Sequence, residues 1–309
     1  MKNVFLYLYI SIFIFSCGES GDHTEKFKDA NSLLKNGEYE SSIELYKSIL
    51  GDSVIDKRIY NNLGAAYLRS GEPDSALFYL EKAIQLDENY YDARLNKVQA
   101  LLAMRDFRGV VNESSQMEIN YPDSTVLKLM TGMGSMQIGD FEKAKEKFLI
   151  VLDRQPENID AKINLATIYL FSGETDEARD LTLSVISQDA TRHEAFNLFG
   201  MILLANKDYN ASLDAFDRAI ELKENANYYN NKAQAYLAMG EADQAKRMLE
   251  KSKSIDSDNY YLWRNFAWYH SIKNTDSVGY FLNKARNMDD SEYLIIEEDS
   301  IFDRLSSTH

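Results

Sequence analysis

The chain has 309 residues, 45% of them apolar and 27% charged, and carries a formal net charge of −15. Those proportions are ordinary for a folded protein and exclude a disordered chain. The acidic excess argues against nucleic acid as a partner, which needs clustered Lys and Arg, and against lying flat on an anionic leaflet. With one cysteine, Cys17, there is no disulfide framework.

At the start of the chain, Lys2 precedes an apolar run from Val4 to Phe15, followed by Ser16 and Cys17. A charged residue, a short apolar stretch and a small residue before the cut describe a secretory signal peptide over residues 1–16. The apolar run would reach about 18 Å as a helix, too short for a hydrocarbon core of about 30 Å. Ile14-Phe15-Ser16-Cys17 resembles the lipobox of bacterial lipoproteins. That resemblance implies that Cys17 is lipidated and becomes the first residue of the mature chain. It also implies an address in the envelope of a Gram-negative bacterium, at the outer membrane, with lipid as the sole membrane contact. Several acyl chains anchor firmly, at about 0.8 kcal/mol per buried CH₂. The residues after Cys17 are small, polar and acidic, so residues 17–22 read as the lipidated cysteine and a flexible tether.

From residue 23 onward a unit of 34 residues recurs. Its marker is a glycine: Gly37, Gly71, Gly139, Gly173 and Gly240, with Arg105 and Lys207 filling the same slot. With the marker at position 15, the units are 23–56, 57–90, 91–124, 125–158, 159–192, 193–225, 226–259 and 260–292. Each carries two amphipathic patterns at helical period separated by a turn, so each predicts a helix pair. Position 8 is small in most units (Ala30, Gly64, Gly132, Ala166, Gly200, Ala233, Ala267), and so is position 20 (Ser42, Ala76, Ala144, Ala178, Ser212, Ala245). Position 24 is usually large: Tyr46, Leu80, Phe148, Phe216 and Leu249. Small residues facing large ones let two helices approach closely, and a larger side chain would overpack the contact. Pro122 and Pro156 stand at position 32, where one helix must end before the next unit begins.

A helix–turn–helix period of this length resembles the tetratricopeptide repeat. The resemblance covers residues 23–292, and units 2, 4, 5, 6 and 7 match its pattern well. Unit 3 departs from it at Val110 and Ser114. Unit 8 keeps Trp263 at the family's tryptophan position but has Gly279 in its second helix and a shortened turn around Asn274-Thr275-Asp276. The implied fold is all-α, a right-handed superhelical solenoid of about eight tetratricopeptide helix–turn–helix repeats. A solenoid end exposes apolar surface and needs a cap. Residues 293–309, with Leu294, Ile295, Ile296, Ile301, Phe302 and Leu305 among acids, supply one.

In this family the first helix of each unit lines a concave groove, through positions 2, 5, 6, 9, 12 and 13. Position 6 holds Asn62, Asn96, Asn164, Asn231 and Asn265. An amide offers both a donor and an acceptor, so this row is suited to the backbone of an extended peptide. The middle of the groove is apolar: Leu129, Met130, Met133 and Met136 in unit 4, Leu198 and Met201 in unit 6. A methionine-rich patch suits adaptable recognition of apolar segments. Where chaperone-binding relatives clamp a terminal carboxylate with Lys and Arg, this chain places Asn61, Asn62, Asp92, Leu95, Asp160 and Ile163, so no such clamp is expected.

His23, His193, His270 and His309 are scattered without partners at metal-ligand spacing, and no catalytic or phosphate-binding motif is present. The expectation is therefore a non-catalytic adaptor without cofactor or metal, binding a protein or peptide through extended or helical segments. A second reading is a lipoprotein that captures a solute or glycan for a transporter. It needs an aromatic platform, for which Phe171, Tyr261, Trp263 and Trp268 are the candidates.

Overall fold

The computed structural model describes residues 19–52, 54–288 and 305. Among them are sixteen α-helices and no strand. The first half of the series is α1 (Glu19–Asn36), α2 (Tyr39–Gly51), α3 (Lys57–Ser70), α4 (Pro73–Leu86), α5 (Tyr91–Ala103), α6 (Phe107–Asn120), α7 (Thr125–Gln137) and α8 (Phe141–Arg154). It continues with α9 (Ile159–Phe171), α10 (Thr175–Gln188), α11 (His193–Ala205), α12 (Tyr209–Leu222), α13 (Ala226–Met239), α14 (Ala242–Ile255), α15 (Tyr260–Ile272) and α16 (Val278–Arg286). Each of the eight units thus contains two helices, and the all-α expectation is met. Cys17, the signal segment, Leu294, Ile295, Ile296, Ile301 and Phe302 lie outside the described residues.

The marker slot works through backbone geometry. Gly37, Gly71, Gly139, Gly173 and Gly240 all have φ between 79° and 85°. A left-handed residue after a helix lets its last carbonyls be satisfied by the turn. In unit 2, the Gly71 N–H donates to Leu68 O at 3.3 Å and the Glu72 N–H to Tyr67 O at 2.9 Å. Arg105 (φ 61°), Lys207 (φ 65°) and Asn274 (φ 54°) adopt the same conformation without glycine's freedom. At the other end, side chains cap the first helices. Asp56, Ser124, Asn158, Asn225 and Asn259 accept from backbone N–H groups of α3, α7, α9, α13 and α15.

Small-against-large packing brings the helices together in the hairpins α3/α4, α7/α8 and α11/α12. A Cβ added at Gly64 would lie 2.6 Å from Leu80 Cγ. At Gly132 it would lie 2.7 Å from Phe148 Cε1, and at Gly200, 2.6 Å from the Phe216 ring. Leu80, Phe148 and Phe216 are all fully buried.

The chain forms two compact units, the first ending at Glu113 and the second beginning at Ser114, within α6. In the first, α1/α2 and α3/α4 form hairpins around Tyr46, Ile49, Leu63, Tyr67 and Leu80. In the second, five hairpins run from α7/α8 to α15/α16, and α11 packs on both α9 and α13. Its last hairpin stacks Trp263, Phe266, Phe281 and His270 in sequence, with Lys284 Nζ 3.5 Å from the Trp263 ring centroid. Leu305 is buried beside Ala267, Val278 and Leu282.

One expectation is corrected. The tether expected over residues 17–22 gives way at Glu19, where α1 begins. In unit 8 Asn274 holds the marker slot, and the buried Val278 follows it by four residues where Ala245 follows Gly240 by five, while α16 spans only Val278–Arg286.

Candidate partner-binding face

The position-6 asparagines fall on the first helices, as expected, but most are bonded to the preceding unit. In the first compact unit, Asn62 Nδ2 donates to Asn31 Oδ1 at 2.7 Å and Asn96 Nδ2 to Asn61 Oδ1 at 2.9 Å. In the second, Asn231 Nδ2 donates to Asn197 Oδ1 at 2.9 Å and Asn265 Nδ2 to Asn230 Oδ1 at 3.0 Å. Three of these acceptors, Asn61, Asn197 and Asn230, share position 5. A step of one repeat stacks position 6 over position 5 of the unit before, and the result is an amide ladder.

Asn62, Asn96 and Asn231 remain half-buried and keep a second N–H for other partners. Asn265 is 0% exposed, and its Oδ1 accepts from the Arg264 guanidinium at 2.9 Å. Its expected place in the groove is therefore corrected: packing and two buried partners remove it from reach. Asn164 is half-buried but stands apart from the ladder. Position 5 of the preceding unit is Leu129, which offers no acceptor, and Asn164 Nδ2 turns back to Asp160 O at 2.8 Å.

The ladder is interrupted from α7 to α11, and apolar side chains take its place. Leu129 and Met133 are half-buried and pack against the cluster of Met136, Phe148, Leu165 and Ile168. Met130 and Met201 are likewise half-buried. Asn197 Nδ2 also contacts Met201 Sδ, at 3.6 Å. Met136 and Leu198 are 6% and 4% exposed, so these two belong mainly to the core and the exposed apolar surface comes from the others. Ile163 sits between, packed against Leu198 and Ile202.

The sequence reading missed the acceptors Asn31, Asn61, Asn197 and Asn230, although position 5 repeats visibly as asparagine. It also missed four buried cations, of which Lys128 donates to Pro122 O. Lys162 Nζ reaches Glu157 Oε2 at 2.9 Å and Ser184 Oγ at 2.9 Å, Lys232 pairs with Asp217, and Arg264 Nη2 donates to Gln234 Oε1 at 3.1 Å. Their charges are neutralised or hydrogen-bonded inside the repeat packing, as burial requires. Tyr228 is buried on α13, its hydroxyl 2.7 Å from His193 Nδ1. Burial, with the nearby Glu194 carboxylate, pushes its pKa from 10.0 up to about 12.

Of the aromatic platform candidates, Trp263 is 2% exposed and stacked on Phe266. Tyr261 is covered by the Arg264 guanidinium at 5.0 Å from its ring centroid. No continuous ring surface for a sugar arises from this pair.

Helix hairpins repeating at one period define a helical-repeat protein. Family models described as tetratricopeptide repeat match residues 58–90, 136–199, 193–225 and 226–259. The chain belongs to the tetratricopeptide-repeat family, whose members are in general protein–protein interaction scaffolds. A TPR repeat-containing protein of Methanocaldococcus jannaschii is 24% identical over 285 residues, 83% of this chain and 48% of that protein. The small glutamine-rich tetratricopeptide repeat-containing protein 2 of Saccharomyces cerevisiae is 32% identical over 122 residues, 38% of this chain and 35% of that one. The chain thus spans less than half the length of either relative. Among solved structures, a tetratricopeptide repeat protein from Parabacteroides merdae superposes with a TM-score of 0.69 at 15% identity, covering 81% of this chain and 99% of that one. The Cut9 and Hcn1 hetero-tetramer of the APC/C gives 0.64 at 13% identity, covering 94% of this chain and 57% of the matched one. At these identities the likeness is one of fold.

Proposed function

We propose that this chain is a non-catalytic adaptor of the bacterial envelope, anchored by lipid on Cys17 at the outer membrane, that holds partner proteins in its first-helix groove. The observation that carries the binding half is the half-buried apolar face of Leu129, Met130, Met133 and Met201, whose side chains are neither fully packed nor fully solvated. An adaptable surface of this kind gains by being covered. The anchoring half is supported by the export segment and the lipobox resemblance. It is consistent with the composition, since among the described residues no helix is long and apolar enough to cross a membrane.

Two experiments test the two halves separately. Cys17→Ala should leave the chain unprocessed or release it to the soluble fraction; normal cleavage with retention in the outer membrane would refute the anchor. Partner capture from envelope extracts, compared across variants, tests the groove. Met133→Glu should lose partners that Glu81→Ala, an exposed change on α4, retains. The reverse pattern would place binding on the outer face.

A further inference from the structure

We infer that one end of the first compact unit is a second membrane contact: the α2–α3 connection at Ile55 and the end of α4 at Leu86 rest in the headgroup layer of a zwitterionic leaflet, beside the lipid on Cys17. This deepens the anchor half of the reading above and rests on it. Chain length is the first constraint. Only Gly18 separates Cys17 from α1, which begins at Glu19. Two residues span at most about 7 Å, and the helix from Glu19 to His23 rises about 6 Å. A lipidated Cys17 therefore holds His23 within about 13 Å of the acyl chains. His23 Nδ1 and Lys26 Nζ each lie 3.6 Å from Asp52 Oδ2, so the same short span reaches the start of the α2–α3 connection.

The side chains at this end suit a bilayer surface. Ile55 is 72% exposed and Leu86 48%. Lys57, two residues after Ile55, pairs with Asp87, next to Leu86, so both belong to one end of the unit. Tyr90 stands beside them, its ring centroid 4.8 Å from Lys57 Nζ. Exposed aliphatics with a half-buried tyrosine and a lysine are the composition of a membrane–water interface. Single exposed aliphatics are ordinary on a protein surface, and these two are set apart by their place beside the anchor. Charge permits the contact. Asp52 faces His23 and Lys26, Asp56 meets Arg58 Nη2 at 2.5 Å, and Asp87 meets Lys57. Paired in this way, they bring little of the chain's net charge of −15 to the leaflet. Glu25 and Glu88 stay exposed, which favours zwitterionic over anionic headgroups.

The test uses the full chain, extracted from membranes and reconstituted into vesicles of phosphatidylcholine and phosphatidylethanolamine. Cys17 is the chain's one cysteine, and lipidation consumes its thiol. Ile55→Cys then offers a single thiol for an environment-sensitive fluorophore, as does Leu86→Cys. Arg69→Cys is the control, exposed in the last turn of α3 and about 18 Å along the helix from Lys57. A nitroxide carried on the lipid acyl chain near the headgroup should quench the label at residue 55 or 86 at least threefold more than at 69. Adding Ile55→Glu to Leu86→Cys, in protein of unchanged circular dichroism, should at least halve the quenching at 86. Equal quenching at 55, 86 and 69, or no effect of Ile55→Glu, overturns the inference and leaves the anchor standing. Two reactive thiols in Ile55→Cys, with the chain lost from the vesicles, would mean that Cys17 carries no lipid, and both readings fall.

Discussion

Asn231 on α13 donates its side-chain amide to Asn197 Oδ1 on α11, 2.9 Å away and 34 residues back along the chain. One repeat separates the pair, so the bond records the stacking register directly. The same relation recurs one unit later, where Asn265 donates to Asn230. The ladder therefore contributes to the fold as well as lining a face, and its rungs differ in burial.

That difference predicts an order of stabilities. Asn265→Ala leaves the Asn230 side chain, 2% exposed, without its partner and should cost about 1–3 kcal/mol. Asn231→Ala, at a half-exposed rung, should cost about 0.5–1.5 kcal/mol. Asn164→Ala loses only a bond to its own helix and should cost least. Urea midpoints would measure the series, and an Asn164 variant weaker than the Asn265 variant would contradict the ladder's role.

Two glycines should answer alanine with opposite signs. At Gly200 an added Cβ would lie 2.6 Å from the buried Phe216 ring, so Gly200→Ala should destabilise by about 1–3 kcal/mol. At Gly279 it would meet nothing within 4 Å, so Gly279→Ala should stabilise α16 by about 0.5–1 kcal/mol. Adding Phe216→Leu should reduce the Gly200 penalty. Thermal unfolding of the three variants suffices to decide.

Lys207 occupies a left-handed slot at φ 65° where five other units use glycine. The conformation costs a non-glycine residue about 1–2 kcal/mol, partly offset by glycine's greater freedom when unfolded. Lys207→Gly should therefore raise stability by about 0.5–1 kcal/mol. No gain in the denaturation midpoint would show that the lysine side chain compensates in another way.

Alkaline stability should report on Tyr228. Its pKa rises from 10.0 to about 12 on folding, so the folded state holds the phenol proton more tightly than the unfolded chain does. That contribution is complete below pH 10 and is lost as pH rises through about 12. The slope should approach about 1.4 kcal/mol per pH unit in this window. Tyr228→Phe removes the titrating group, and its stability should fall less steeply over the same range. Parallel curves for the two proteins would mean that the phenol is not the group responsible.

The legibility of the chain differs by level. The helix pairs followed from the period alone, because Gly71, Gly173 and Gly240 mark turns whose positive φ is a local requirement. The tight contacts at Gly64, Gly132 and Gly200 were readable from small residues facing Leu80, Phe148 and Phe216. The face was less legible. Asn62, Asn96, Asn164, Asn231 and Asn265 are identical in type and repeat position, yet one is buried, one bonds its own helix and three bond a neighbour while remaining half-exposed.

By itself, then, the sequence determined what depends on neighbours within a few residues: helix lengths, caps, left-handed turns and the small-to-large pairing inside a hairpin. Only the tertiary structure decided which amides are committed and which side chains are left to a partner. Those outcomes depend on the residue one repeat away. Asn164 and Asn231 diverge because the unit before them offers Leu129 in one case and Asn197 in the other, and a hydrogen bond forms only where stacking sets an acceptor within reach.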